Sequence, residues 1–263
     1  MDDSPVLVDF RAGYRVLTLN RPQRLNAFTE AMHQALAKAI AEAEQDQTCR
    51  ALLLTGTGRA FSSGQDLSER INAAGEVSVP GTALEQYYNP LVRKLRALPF
   101  PVVCAVNGTA AGASCNIALA CDIVLAARSA TFLQAFARLG LMPDAGGTWL
   151  LPRLVGQARA RGLALLAEPL SAEKAEQWGL IWKAVDDGAL MGEAEKLCEH
   201  FATGPTLGLG LIKRALDASE DNDLATQLDL ERQLQRVAGA HPNYAEGVRA
   251  FMQKRKANFS GKR

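Results

Sequence analysis

The sequence predicts an α/β fold in which buried strands alternate with helices, followed by a helical C-terminal region. Two observations predict it. Short apolar runs, typical of buried strands, lie at 51–55, 101–106, 122–126 and 180–185, with helical periodicity between them. From about residue 189 onward the pattern is mainly helical. Alternating strands and helices favour an α/β architecture with right-handed crossovers.

The N-terminal part contributes two further strands and one long helix. Residues 6–10 and 14–20 are predicted as short strands around an Arg11-Ala12-Gly13 turn. Residues 29–47 are predicted as a helix, because apolar residues recur there at helical spacing and Thr29 can cap its start.

The C-terminal region shows apolar faces at helical spacing, broken at 204–205, 221–223 and 241–242. We therefore predict a core over 1–190 and a helical oligomerisation region over 191–263, which can fold onto its own core or onto a partner subunit. A flexible loop is predicted at 73–82, where small and polar residues are interrupted by Gly and Pro.

Composition excludes several classes of protein. Lys and Arg total 29 and Asp and Glu total 28, a net charge of +1, which argues against nucleic-acid binding. We expect no membrane span, and the N-terminus lacks the order of a signal peptide. Five scattered cysteines fit reduced thiols in a cytoplasm, and no metal-ligand spacing is present. We expect a cytoplasmic protein without a metal.

Two glycine-containing turns follow buried strands, and each is expected to open a helix. The first includes Gly56, Gly58 and Gly64, and the second includes Gly108 and Gly112. Helix starts leave free N–H groups, and two of them brought together can hold an oxyanion. The residues alone leave open that each turn is simply a connection. Neither is a P-loop or a dinucleotide-binding turn.

Four motifs, in this order and spacing, resemble the enoyl-CoA hydratase/isomerase (crotonase) superfamily: Leu19-Asn20-Arg21-Pro22 with Asn26-Ala27-Phe28, Phe61-x-x-Gly64-x-Asp66-Leu67, Ala105-Val106-Asn107-Gly108-x-Ala110-x-Gly112 with Cys121-Asp122, and Gly140-Leu141-x-Pro143-x-x-Gly146-Gly147-Thr148. The resemblance implies a crotonase-like spiral of ββα units with a C-terminal helical trimerisation region. It also implies an acyl-CoA thioester substrate, with coenzyme A as part of that substrate and no separate cofactor. The backbone N–H groups of Gln65 and Ala113 would form the oxyanion hole.

The carboxylates indicate the reaction within this resemblance. The two positions where hydratases of the family carry glutamates hold Asn116 and Phe136, and neither can shuttle a proton. We place both in the acyl pocket, although a structural role is favoured for Asn116. Asp144 could cap the helix expected near Gly147. The resemblance instead makes it the single catalytic acid–base of an isomerase.

Further motifs resemble members of the family that isomerise epoxidised aromatic rings on CoA thioesters in phenylacetate catabolism: 61–67, 88–92, 139–152 and 226–231. The same base would also move a β,γ double bond into the α,β position. The alternatives are a general hydratase/isomerase of fatty-acid β-oxidation, an aryl-CoA dehalogenase with Asp144 as nucleophile, and a non-catalytic acyl-CoA-binding protein.

The resemblance also implies where coenzyme A and partner subunits bind. Coenzyme A would contact residues on both sides of the first turn and one in the last helix: Arg24, Ala27, Ser63, Asp66, Leu67 and Lys254. Capping of the first helix is the favoured role of Asp66. We expect a homotrimer or a dimer of trimers, possibly with a related hydratase, and no nucleic-acid or membrane partner.

Overall fold

The computed structural model describes residues 4–71, 74–79 and 81–259 of the chain. Strands and helices alternate through the first two thirds, as the sequence predicts. The strands are β1 (Val6–Arg11), β2 (Tyr14–Leu19), β3 (Leu52–Gly56), β4 (Ala60–Ser62), β5 (Val102–Val106), β6 (Thr109–Ala111), β7 (Ile123–Ala127), β8 (Thr131–Leu133), β9 (Leu170–Ser171) and β10 (Lys183–Val185). The helices are α1 (Glu30–Gln45), α2 (Gly81–Ala83), α3 (Asn89–Ala97), α4 (Ala113–Leu119), α5 (Gly147–Leu166), α6 (Ala172–Gln177), α7 (Leu190–Ala202), α8 (Thr206–Ser219), α9 (Leu224–Ala240) and α10 (Pro242–Met252).

The main sheet has six strands in the order β1-β2-β3-β5-β7-β10. The first pair is antiparallel and the others are parallel. Every residue of β5 is buried, as its continuous apolar run predicts. The strand predicted at 180–185 is shorter than expected, because the N–H of Leu180 bonds to the carbonyl of Ala175 and closes α6 instead.

A second sheet joins four short strands in the order β4-β6-β8-β9 and was not predicted. Because of this sheet, both glycine turns are followed by a strand that the sequence did not predict. Each turn enters a short strand, β4 or β6, before any helix begins. After β4 the helix expected from the first turn is present only as a short 3-10 helix over Leu67–Arg70.

Helix α1 begins where its cap predicts. The hydroxyl of Thr29 accepts a hydrogen bond from the N–H of Met32 at 3.3 Å, which satisfies one free donor of the first turn. One face packs into the core through Met32, His33, Leu36, Ala39, Ile40 and Ala43.

The C-terminal helices begin and end at the predicted breaks. Helix α7 lies against the main sheet, and its Leu190, Ala194 and Cys198 are buried. Helices α8, α9 and α10 follow, with Asp223 capping α9 and His241 capping α10. The division into a core and an oligomerisation region stays a prediction.

Two cations, one half-buried and one buried, join the helical region to the core. The guanidinium of Arg50, just before β3, donates to the carbonyls of Ala202, Gly204 and Phe259 and to the hydroxyl of Thr206, at 2.6 to 2.9 Å. On α8, the ammonium of Lys213 pairs with the carboxylate of Asp122 at 2.7 Å and is almost completely buried.

Part of the predicted loop 73–82 is described. Residues 73 and 80 lie outside the described residues, while Val77 pairs with Ile71 in an isolated antiparallel bridge. Within the described residues, none of the helices combines the length and the apolar run that spanning a bilayer requires.

Candidate active site

A cavity of about 390 Å³ opens where the two glycine turns meet the start of α5. Most of its wall is apolar, and among the described lining residues Asp144 is the one acidic side chain. The wall consists of Ser63, Gly64, Gln65, Leu67, Arg70, Ile71, Val77, Ser78, Leu84, Tyr88, Gly112, Ala113, Ala135, Phe136, Leu139, Leu141 and Asp144. The cavity therefore brings together the predicted residues Gln65, Ala113, Asp144 and Phe136.

The first turn directs the backbone N–H of Gln65 away from its neighbouring segment. Phe28 pairs with Gln65 in a parallel bridge, in which the N–H of Phe28 bonds to the carbonyl of Gly64 and the N–H of Asp66 bonds to the carbonyl of Phe28. In a parallel pair, the N–H of the intervening residue points to the opposite side. Gln65 lines the cavity, so its N–H is available there as a donor.

The second turn places the N–H of Ala113 close to the first. Ala113 is the first residue of α4, so its N–H belongs to the donors that a helix start leaves unpaired. Gly64 adopts φ +92°, and a Cβ built there would lie 2.8 Å from the carbonyl oxygen of Ala111 and 3.8 Å from the nitrogen of Ala113. The two turns can approach this closely because position 64 is glycine.

Asp144 does not cap α5 with its side chain, so that interpretation is wrong. Ala145 and Gly146 have φ of 47° and 84°, and this left-handed pair separates Asp144 from the helix start at Gly147. The carbonyl of Asp144 accepts from the N–H of Gly147 at 2.8 Å. Its carboxylate oxygen Oδ1 is buried and has no hydrogen-bond partner among the described residues.

Burial controls the acidity of this carboxyl group. Desolvation raises the pKa of Asp144 from an ordinary 3.8 to about 6, and the opposite charge of Arg70 offsets part of that effect. A carboxyl with a pKa near 6 is ionised at neutral pH and is a stronger base than an exposed aspartate. It is therefore suited to accepting and returning a proton.

Asn116 lies beneath the site and does not line the cavity, which corrects its placement in the acyl pocket. Its side chain is fully buried on α4. Its Nδ2 donates to the carbonyl of Asp144 at 2.8 Å, and its Oδ1 accepts from Nε2 of Gln134 at 2.8 Å. Asn116 thus fixes the backbone that carries the carboxylate, in agreement with the structural role favoured from the sequence.

Comparison with known proteins agrees with this geometry. The family model described as enoyl-CoA hydratase/isomerase matches residues 9–262. The chain belongs to the enoyl-CoA hydratase/isomerase family. The predicted resemblance is confirmed, and so is the enzyme class, an isomerase of this family.

Curated relatives of this family include isomerases and hydratases. The chain is 55% identical over 258 residues to 1,2-epoxyphenylacetyl-CoA isomerase of Escherichia coli (strain K12), covering 98% of both chains. It is 35% identical to trans-2-decenoyl-[acyl-carrier-protein] isomerase of Streptococcus mutans, covering 100% of both. It is also 35% identical to 2,3-dehydroadipyl-CoA hydratase of Escherichia coli (strain K12), covering 98% of this chain and 100% of the relative.

Solved structures of family members have the same fold. An enoyl-CoA hydratase from Bacillus anthracis superposes with a TM-score of 0.91 at 30% identity, covering 98% of this chain and 100% of that one. An enoyl-CoA hydratase from Mycobacterium smegmatis gives 0.89 at 30% identity, covering 97% and 98%. The predicted crotonase-like fold is confirmed.

Two polar residues that line the cavity were not predicted to do so. Tyr88, completely buried, donates its hydroxyl to Oε1 of Gln65 at 2.9 Å. Arg70 donates Nη2 to the same oxygen at 3.2 Å. The motif at 88–92 contained Tyr88 but gave it no role, and no local pattern singled out Arg70.

The residues predicted to bind coenzyme A are partly dispersed. Ser63 and Leu67 line the cavity, whereas Arg24, Ala27, Asp66 and Lys254 do not. Asp66 caps the 3-10 turn through Ser68 and pairs with Arg21 at 3.0 Å, as the favoured capping role predicts.

The backbone carbonyl and N–H of Ala27 both form hydrogen bonds within the chain. Its carbonyl accepts from Nη1 of Arg21 at 2.6 Å, and its N–H bonds to the carbonyl of Arg24. Lys254 follows α10, outside the cavity lining. The proposed contacts of coenzyme A with these residues therefore stay predictions.

Proposed function

We propose that this protein isomerises acyl-CoA thioesters by moving one proton between two carbons of the acyl group. The observation that supports this most directly is Asp144, a half-buried carboxylate whose Oδ1 is buried and unpartnered, in a cavity that holds no second described carboxylate. Hydration of a double bond needs a group that activates water at the β-carbon. The two positions where such groups were expected hold Asn116, beneath the site, and Phe136, in its wall.

In the proposed reaction, Asp144 removes a proton from the α-carbon. The electron pair of the broken C–H bond moves to the thioester carbonyl, whose oxygen accepts hydrogen bonds from the N–H groups of Gln65 and Ala113. Protonated Asp144 then returns the proton to another carbon of the conjugated system, so no atom is gained or lost. Removing one oxyanion donor from a hydrolase costs about 10²-fold to 10³-fold in rate, which indicates the scale of this stabilisation.

We propose 1,2-epoxyphenylacetyl-CoA as the main substrate, since the relative at 55% identity is named for that activity. Proton removal from the CH₂ beside the thioester, expansion of the epoxidised ring to an oxepin and proton return at the ring need one base and one oxyanion hole. The mainly apolar wall, including Phe136, suits an aromatic acyl group. A linear 3-enoyl-CoA would be isomerised to the 2-enoyl ester by the same residues.

The proposal extends to the pathway and to the assembly. The reaction belongs to phenylacetate catabolism and needs no cofactor beyond the coenzyme A of the substrate.

Large apolar side chains on α9 and α10 are exposed, among them Leu224, Leu228, Val237, Tyr244, Phe251 and Met252. An apolar surface of this kind favours burial against another subunit, and we propose a homotrimer or a dimer of trimers.

A panel of acyl-CoA esters tests the function. Epoxyphenylacetyl-CoA, a linear 3-enoyl-CoA and a 2-enoyl-CoA are incubated with the wild type and with Asp144→Asn, and the products are followed by mass and absorbance. We expect isomerisation of the first two esters by the wild type and a loss of about 10²-fold to 10⁴-fold in the variant. Binding of a non-reactive acyl-CoA thioether should change little.

Asp9→Asn is the matched control, because it makes the same chemical change at an exposed residue of β1. It should retain wild-type turnover. Unchanged turnover in Asp144→Asn would remove Asp144 from the mechanism. Rapid hydration of the 2-enoyl ester would instead identify a hydratase.

A further inference from the structure

The cavity wall contains two charged side chains of opposite sign. Among the described lining residues these are Asp144 and Arg70, and the remaining side chains are neutral. Arg70 ends the 3-10 turn Leu67–Arg70 and is half-buried. The net charge of the cavity wall is therefore zero before a substrate binds.

The Arg70 guanidinium is fixed through the turn that carries Gln65. Its Nη2 donates to Oε1 of Gln65 at 3.2 Å, and the hydroxyl of Tyr88 donates to the same oxygen at 2.9 Å. The Nε2 of Gln65 in turn donates to the carbonyls of Phe28 and Asp66 at 3.1 and 3.3 Å. This fixes a permanent positive charge beside the Gln65 turn, in the wall of the cavity that Asp144 also lines, since guanidinium does not lose its proton in proteins.

Other titratable groups around Asp144 are neutral or lie outside the cavity wall. Glu69 is one of the latter, and its Oε2 accepts a hydrogen bond from the N–H of Glu30. Burial raises the pKa of Tyr88 far above its ordinary value, and burial lowers the pKa of His33 to about 4, so both are uncharged at neutral pH. Arg138, on the segment that carries Phe136, donates to the carbonyl of Ala167. Among the described lining residues, Arg70 is thus the one cation that shares the cavity with Asp144, and its charge lowers the pKa of Asp144.

We propose that Arg70 is a positioning residue that keeps Asp144 in its charged, proton-accepting form and balances the negative charge as it passes from Asp144 to the substrate. This inference rests on the proposed function. When the proton moves from the α-carbon to Asp144, the negative charge moves from the carboxylate to the enolate oxygen near Gln65. Arg70 contacts the Gln65 turn and acts on Asp144, so the site stays neutral at both stages. Such a balance of charge matters more in a cavity of low dielectric constant, because charges interact more strongly there than in water.

The test compares Arg70→Met, Arg70→Gln, Arg70→Lys and Tyr88→Phe by the pH dependence of kcat/KM with a linear 3-enoyl-CoA. Loss of the charge should move the acidic limb of the profile up by about one pH unit. Arg70→Lys should restore the wild-type limb. Tyr88→Phe removes the other hydrogen bond to Gln65 Oε1 without changing any charge at neutral pH, so kcat should fall and the limb should stay in place.

A second measurement does not depend on turnover. Infrared titration of protein labelled with ¹³C-aspartate, taken as the difference from Asp144→Asn, follows the Asp144 carboxylate directly. Its midpoint should rise in Arg70→Met and Arg70→Gln and stay near that of the wild type in Tyr88→Phe. An unchanged midpoint in both neutral variants overturns the role of Arg70. A raised midpoint in a protein that isomerises none of the esters supports that role and refutes the proposed function.

Discussion

The carboxylate of Asp144 should reduce the stability of the folded protein at neutral pH. Burial raises its pKa to about 6, whereas the unfolded chain has the ordinary value of 3.8. Between these values the folded protein retains a proton that the unfolded chain has lost, so the free energy of unfolding falls as the pH rises from about 4 to about 6. Above that range the cost is complete and constant.

The size of this cost follows from the difference in pKa. About two pKa units at 1.36 kcal/mol each give about 3 kcal/mol as an upper figure. Asp144→Asn removes the ionisable group and retains nearly the same shape. We therefore expect the variant to be more stable than the wild type by up to about 3 kcal/mol at about pH 8, and by nearly nothing at about pH 4.

Urea unfolding of both proteins at several pH values and one fixed protein concentration measures this difference. Asp122→Asn is an informative control, because Asp122 pairs at 2.7 Å with Lys213, which is almost completely buried. Its removal leaves a buried ammonium without a counter-charge and should cost about 3–5 kcal/mol. If Asp144→Asn were no more stable than the wild type at about pH 8, desolvation would not be raising the pKa of the Asp144 carboxyl.

Two further predictions concern the turn and the helical region. A Cβ at Gly64 would lie 2.8 Å from the carbonyl oxygen of Ala111, so Gly64→Ala should displace the Gln65 donor and lower kcat about 10²-fold. Gly75 also has a positive φ, +81°, but open space surrounds it, so the control Gly75→Ala should leave kcat unchanged. Equal losses of kcat in both variants would argue against this reasoning. In sedimentation velocity at micromolar concentration, the wild type should be a trimer or hexamer. The side chain of Phe251 is 83% exposed, so Phe251→Lys should disrupt the proposed subunit contact and form smaller species. A monomeric wild type would contradict the assembly.

The main sheet could be predicted because its inner strands are buried on both faces. Such strands need unbroken apolar runs, and the runs that became β3 and β5 are visible in the sequence. The second sheet could not be predicted in this way. The strands β4, β6, β8 and β9 have two or three residues each, which is too short for any periodicity, and their pairing depends on segments far apart in the chain.

In the candidate site, residues within a family motif could be predicted, whereas residues brought together only by tertiary contacts could not. Asp144 follows a proline and precedes two glycines, so its position within the family motif indicated its role. Arg70 and Tyr88 are 5 and 23 residues from Gln65, and they meet only because Gln65 offers one amide oxygen to both. Asn116 was expected in the cavity wall because the sequence does not show which face of a seven-residue helix points inward.

The side chain of Arg50 has a mechanical consequence. It joins the edge of β3 to the end of α7, to the start of α8 and to Phe259 near the end of the described chain. A connection held at four points cannot act as a hinge, because rotation there would break several hydrogen bonds at once. Arg50 thus ties the end of α7, the start of α8 and the segment after α10 to the main sheet beyond the covalent linker. In the proposed assembly, a displacement at a subunit contact would therefore be transmitted to the sheet through these hydrogen bonds.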